Sequence, residues 1–212
     1  MPGPLDGVTV LDLTTVGFGP YGTQILGDYG ADVIKIEAPG GDITRGIGPQ
    51  RNPGMGPFFL NANRNKRSVG LDISKPEGAE IVRRMAMDAD ALVENFKTGN
   101  LARYKLAYDD LKDGNPKLVY CSVTGFGQTG PYAPRPGYDF LIQGMAGLMS
   151  ITGEPDGEPQ KVGVPIADIM AGMYASVSVN AALRHAAVTG QGQYIDIGMM
   201  DTTVAMLANA GM

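Results

Sequence analysis

Asp168 is the residue whose setting least suits its type. It stands in the run Val162, Gly163, Val164, Pro165, Ile166, Ala167, Asp168, ahead of Ile169, Met170, Ala171 and Gly172, and an unpaired carboxylate among apolar side chains is costly. A helix beginning there leaves two readings open. The carboxylate caps the helix, or it is a nucleophile held near helix amides that stabilise the oxyanion formed when it attacks a thioester.

A second pattern is Gly17, Phe18, Gly19, Pro20, Tyr21, Gly22, a GxGxxG after a strand and at the start of a helix. Glu37 closes the next strand, where a dinucleotide fold places its ribose-binding acid. On pattern alone this is an NAD-dependent oxidoreductase fingerprint. Against it, Pro20 removes a backbone donor, and a tight strand-to-helix turn uses glycine for packing alone. The basic cluster Arg64, Lys66 and Arg67 either attracts an anion or is a solvated loop.

Composition removes other chemistries. A single cysteine, Cys121, and a single histidine, His185, exclude an internal disulfide, a CxxC knuckle and a multi-histidine zinc centre. No metal site is expected, and Cys121, in a strand with no activating histidine nearby, reads as inert. Twenty-two acidic against 17 basic residues argue against a nucleic-acid partner. No run approaches the roughly 18 uninterrupted apolar residues of a membrane span, and Met1 to Asp6 has no signal-peptide character. No membrane partner is expected, and the expected location is cytoplasmic.

The elements that must position these groups alternate. Strands are expected at Val8 to Leu13, Ala31 to Glu37, Ser68 to Asp72, Ala91 to Glu94, Lys117 to Val123 and Tyr194 to Ile197. Helices are expected at about Tyr21 to Tyr29, Ser74 to Ala89, Asn100 to Tyr104, Tyr108 to Leu111, Tyr138 to Leu148, Ala167 to Ala187 and Asp201 to Ala208. The Tyr138 helix reads as well buried, and Gly40 to Asn63 as a long loop. The fold class is α/β, a Rossmann-like doubly wound sheet that is mainly parallel.

The segments "VLDLTTVGFGP", "GADVIKIEAPGGDITR", "NRNKRSVGLDIS", "ENFKTGNLARYKL", "YCSVTGFGQTGPYAPRPGYDFLIQGMAGLMSITG" and "PIADIMAGMYA" together resemble the class III CoA-transferases. That family includes the CaiB/BaiF type enzymes and has α-methylacyl-CoA racemases as relatives. The resemblance runs from about Leu5 to Gly198. It implies that residues 1–212 are the N-terminal part of the large CoA-binding α/β domain, an incomplete one, with the small domain and the C-terminal half absent.

It also implies a CoA-transferase in which Asp168 is the catalytic nucleophile, CoA moving from an acyl-CoA donor to a carboxylic acid through an aspartyl-CoA thioester. Coenzyme A is then a substrate, with no prosthetic group. The resemblance assigns CoA binding to Val16, Leu71, Lys75, Asn95, Phe96, Arg103 and Tyr104, and substrate contact to Tyr138 and Gly17. It implies a homodimer, interlocked in the full-length family. Related racemases carry a histidine where this chain has Tyr138, so racemase chemistry is the alternative with a missing partner. Some formyl-CoA transferases carry glutamine where this chain has Gly17.

Overall fold

Six short strands form one parallel sheet: β1 (Thr9–Leu13), β2 (Asp32–Glu37), β3 (Lys66–Gly70), β4 (Ala91–Glu94), β5 (Val119–Thr124) and β6 (Tyr194–Gly198). Between and after them come α1 (Phe18–Asp28), α2 (Pro57–Ala62), α3 (Pro76–Asp88), α4 (Tyr108–Leu111), α5 (Asp139–Met145), α6 (Ile166–Thr189) and α7 (Met199–Met206). The computed structural model describes residues 2–211. The strand order is β3-β2-β1-β4-β5-β6, all neighbours parallel, which is the doubly wound α/β class expected from the alternation. The chain winds outward from β1 to β3, then returns to the other side of β1 as β4. The crevice beyond the ends of β1 and β4 is therefore the topological switch point, where such sheets hold ligands.

Alternation along the strands gives the sheet two apolar faces. Val10, Val33, Val93, Cys121 and Val123 face α1 and α6, meeting Leu26, Ala167, Ala171, Ala175 and Val179. Leu11, Ile36, Leu92 and Tyr120 face α3 and α4, meeting Ala79, Val82, Ala86 and Leu111. Helix α6 is long and apolar enough to cross a membrane by length and composition. In this fold its alanine stripe packs against the sheet instead.

The last glycine of the motif is explained by helix packing, and Gly19 by its fit against Thr14, whose Cβ would be 2.5 Å from a Cβ added there. A Cβ at Gly22 would stand 2.8 Å from the Gly172 carbonyl oxygen, and one at Gly172 would stand 2.6 Å from the Phe18 carbonyl oxygen. Glycine on both helices lets the α1 and α6 backbones touch. All of the motif but Gly17 also lies inside the helix, since α1 starts at Phe18.

Several expectations are corrected. Helix α5 is short and only partly buried: Ile142 and Gln143 point inward, while Phe140 is 59% and Leu141 48% exposed. Seven residues make about two turns, enough to seat only one face. The Gly40 to Asn63 segment is not all loop. It holds a 3-10 turn at Ile43–Gly46, capped by Asp42 through Thr44 N at 2.9 Å, and α2, started by Pro57 at its first position. Strand β3 starts two residues early, at Lys66 opposite Val33.

The basic cluster is no anion trap. Arg64 pairs with Asp28 at 2.5 Å, Lys66 with Asp12 at 2.8 Å and Arg67 with Asp32 at 2.5 Å. Lys66 is itself buried, its side chain 2% exposed. Cys121 is buried in β5, and burial pushes its thiol well above the ordinary range, in line with an inert residue.

Candidate active site

Strand β1 runs on into the turn Thr14–Gly17, β4 into Asn95–Thr98 and β5 into Thr124–Gly125. These three turns, with Tyr138, Asp139 and Asp168, surround a cleft of about 240 Å³. It lies at the switch point that the topology marks out.

Asp168 occupies the first turn of α6, half-buried. It is not the cap. The free amides at the start of α6 are taken by Asp139 from the neighbouring α5: its Oδ1 accepts from Ala167 N at 2.9 Å and from Asp168 N at 3.4 Å. Burial, reinforced by the negative charge of Asp139, raises the Asp168 carboxyl to about 7, with no hydrogen bond pulling it down. A carboxylate left without donors in a cleft is a nucleophile in waiting, because no hydrogen bonds have to be broken before it attacks.

The turn beside it is tightly specified. Val16 has φ +68°, a left-handed conformation that a β-branched residue adopts at a cost of about 1–3 kcal/mol. Asn95 holds the preceding peptide across the switch point: its Oδ1 accepts from Thr15 N at 2.9 Å and its Nδ2 donates to Thr15 O at 2.8 Å. Next to Val16, a Cβ at Gly17 would lie 2.6 Å from Asp168 Oδ2. Only glycine lets the turn approach the carboxylate this closely.

On the β4 side, Glu94 is 5% exposed and accepts from Phe96 N at 2.7 Å. Burial pushes the Glu94 carboxyl to about 7, against hydrogen bonds from Ser122 and the Phe96 amide. The backbone that carries Phe96 is thus fixed from below.

The structure brings Val16, Gly17, Asn95, Phe96, Tyr138 and Asp168 together in this one cleft. Tyr138 is 71% exposed at its mouth. Lys75, Arg103 and Tyr104 instead line a second cleft of about 540 Å³, between the start of α3 and the chain after β4, where Arg83 and Lys105 join them. Glu77 and Glu80 line it too, and Arg83 is paired with Glu80, which leaves Lys75, Arg103 and Lys105 as the cations that suit a phosphate there. Leu71 lines neither cleft: it packs against the α3-side core, and its amide donates to Glu37 O at 2.7 Å. Both ends of the Asn95 amide are engaged with Thr15.

Asp139 is the cleft residue that sequence reasoning did not single out. Its signal was an acid at a short helix start, and its partner amides lie 28 residues away, which no local pattern reveals. Glu37, the would-be ribose ligand, is saturated. It is 4% exposed and accepts from Arg45 Nε at 2.7 Å, Arg45 Nη2 at 2.5 Å, Ser68 Oγ at 2.5 Å and Asp42 N at 2.7 Å. Burial alone would raise its carboxyl, but Arg45, Ser68 and the Asp42 amide hold it at about 2. The dinucleotide reading therefore loses both its glycines and its acid. Among the described residues no cluster of His, Cys, Asp and Glu could hold a metal.

Comparison with known proteins bears on the family and the fold. The family described as CoA-transferase family III matches residues 5–212. A succinate–glutarate CoA-transferase from Agrobacterium fabrum is 50% identical over 99% of this chain and 54% of its own length. A human succinyl-CoA:glutarate CoA-transferase is 42% identical over 97% of this chain and 47% of its own. A crystal structure of a CaiB/BaiF family protein from Brucella suis superposes with a TM-score of 0.95 at 50% identity, covering 99% of this chain and 56% of that one. The chain spans about half the length of the curated relatives it matches. With a match that covers nearly every residue, the chain belongs to CoA-transferase family III.

Proposed function

We propose that this chain is the N-terminal part of the CoA-binding α/β domain of a CoA-transferase that moves CoA from an acyl-CoA to a carboxylic acid, with Asp168 as nucleophile. The observation that carries the reading is the Asp168 carboxylate, free of hydrogen bonds and raised to about 7, at the base of the switch-point cleft of a family member. Relatives named for succinate with glutarate, succinyl-CoA with mesaconate and acetyl-CoA with oxalate favour dicarboxylic acids as the exchanging substrates.

In the proposed cycle Asp168 attacks the thioester carbonyl, the carbon–sulfur bond breaks, and an acyl-aspartyl anhydride and CoA thiolate result. The thiolate then attacks the aspartyl carbonyl, the donor acid leaves as its carboxylate, and aspartyl-CoA remains. The acceptor carboxylate attacks that thioester, re-forming a mixed anhydride and the thiolate. Attack of the thiolate on the acyl carbon releases Asp168 and the new acyl-CoA. One carboxylate enters and one leaves, so no net proton is exchanged and the thioester energy is conserved. In this reading Lys75 and Arg103, with Lys105 beside them in the second cleft, hold the phosphates, and Phe96 and Val16, which line the first, pack the chain that leads to Asp168. The exposed apolar side chains Phe140 and Leu141 on α5 favour burial against a second copy, a homodimer.

Racemase chemistry is disfavoured by position. His185 lies 17 residues beyond Asp168 on the same helix, about 25 Å away, and no other histidine occurs in this chain. The test is intact mass after mixing with a panel of acyl-CoAs. A CoA or acyl adduct that maps to Asp168 and is absent in Asp168→Ala supports the reading. A full panel without any adduct on Asp168 refutes it.

A further inference from the structure

Beneath the turn that touches the nucleophile lies a layer of charge where a core would ordinarily be apolar. Asp12 on β1 and Lys35 on β2 are neighbours in register, and they are 0% and 1% exposed. Lys66 on β3 and Asp42 beyond β2 complete the layer. Burying four charges is costly unless each is paired and bonded; here each is paired, and only Asp42 Oδ2 has an ion pair without a hydrogen bond. Asp12 Oδ1 accepts from Thr14 N at 2.9 Å and Thr14 Oγ1 at 2.5 Å. Asp12 Oδ2 accepts from Thr23 Oγ1 and Lys66 Nζ, both at 2.8 Å. Lys35 Nζ donates to Thr14 O at 2.7 Å and pairs with Asp42 Oδ2 at 3.1 Å.

The layer thus grips Thr14 by both its amide and its carbonyl, while Asn95 grips Thr15 by the same two groups. The next residue is Val16 at φ +68°, and after it Gly17 lies against Asp168 Oδ2. Backbone strain persists only where the surroundings over-determine it. Here two successive peptides are fixed immediately before the strained one.

We propose that Lys35 is a positioning residue for Asp168: through Thr14 O it holds the Val16 turn in its left-handed conformation and so keeps the turn closed on the nucleophile. Asp42 orients the ammonium and ties the turn to the Ile43–Gly46 segment. This rests on the assignment of Asp168 as nucleophile. Lys35 touches no part of the cleft, so it acts entirely through the backbone of the turn.

The test uses the double variant Lys35→Met with Asp42→Asn, which removes both charges together and leaves no buried charge orphaned; the amide oxygen of the replacement still offers an acceptor to Thr44 N. Adduct formation on Asp168 is followed in a single turnover with the acyl-CoA that labels the wild type. A loss of about 10- to 100-fold in the rate is expected, with the acyl-CoA concentration for half-saturation within about twofold. The same pair is then made in a Val16→Gly background. Glycine adopts positive φ without strain, so the clamp matters less there, and the loss should shrink to less than about threefold.

A purely structural role would lower the rate equally in both backgrounds. That additive outcome, or a folded double variant within about twofold of the wild-type rate, overturns the proposal. If the double variant does not fold, Lys35→Met alone, which still removes the donor to Thr14 O, is read by the same criterion. Absence of any Asp168 adduct in the wild type would instead count against the nucleophile assignment.

Discussion

Replacing Gly172 by alanine tests how the glycine motif works. The new methyl would stand 2.6 Å from the Phe18 carbonyl oxygen, 3.0 Å from Tyr21 Cδ1 and 3.2 Å from Gly22 N. Relaxed carbon contacts are about 3.5 Å or longer, and two of the three atoms are backbone, so neither can swing aside. Helices α1 and α6 have to part by about 0.5–1 Å. Overpacking of this kind costs about 1–3 kcal/mol, a fall in Tm of about 2–12 °C for a chain of this size. Asp168 is one helical turn before Gly172 on the same helix, so the shift reaches the proposed nucleophile. Adduct formation should slow about 10- to 100-fold.

Thermal unfolding by circular dichroism and single-turnover mass spectrometry read the two effects. Gly22→Ala, which meets the Gly172 carbonyl oxygen at 2.8 Å, should behave alike. A dinucleotide-binding glycine would show the opposite pattern, altered nucleotide affinity at unchanged Tm. Wild-type Tm and rate in both variants would refute the close-packing account.

Four further outcomes are expected. Asp139→Asn keeps an acceptor at the α6 amides but removes the charge that, after burial, helps raise Asp168, so the acid limb of the acylation rate should move to lower pH; an unmoved limb would show that the charge plays no part. Because the folded-state value of Asp168 lies above its unfolded one, its contribution to stability is fully present below pH 3.8 and lost as pH rises through about 7. Asp168→Asn should therefore raise Tm at pH 8 relative to wild type and leave it nearly unchanged at pH 4, as calorimetry would read. Lys66→Met strands the buried Asp12: burial pushes that carboxyl up, and Lys66 with Lys35 overcomes it to hold the group at about 2. The loss should be about 3–5 kcal/mol in urea unfolding. Asn95→Ala removes both bonds to the Thr15 peptide and should slow acylation more than it weakens CoA binding, a split that calorimetry and kinetics together would resolve.

The residues alone carried a good deal. Alternating aliphatic runs and helical stretches specified the parallel doubly wound sheet, because a strand buried on both faces is apolar throughout and each crossover needs a helix. The oddness of an aspartate inside "PIADIMAG" marked Asp168 from its chemistry, and the order of motifs along the chain indicated the family. What the residues could not fix was which polar group serves which partner. Glu37 and the GxGxxG have the spacing of a dinucleotide site, yet Glu37 is consumed by Arg45 and Ser68, and the glycines are consumed by close packing, Gly17 on Asp168, Gly19 on Thr14 and Gly22 on the α6 backbone.

The same holds for Asn95, spent on Thr15 across the switch point, and for Asp139, which takes the capping role that Asp168 could have filled. Lys66 reads as a solvated charge in sequence and is an interior ion. Each of these pairings joins residues well separated along the chain, brought into contact only when the strands and the helices that cover them lie side by side. Local pattern encodes which faces are buried, since that depends on period and polarity along one element. Hydrogen-bond partnership, backbone strain at Val16 and the raised Asp168 carboxyl depend on what neighbouring elements bring to the same point, and the tertiary structure decides them.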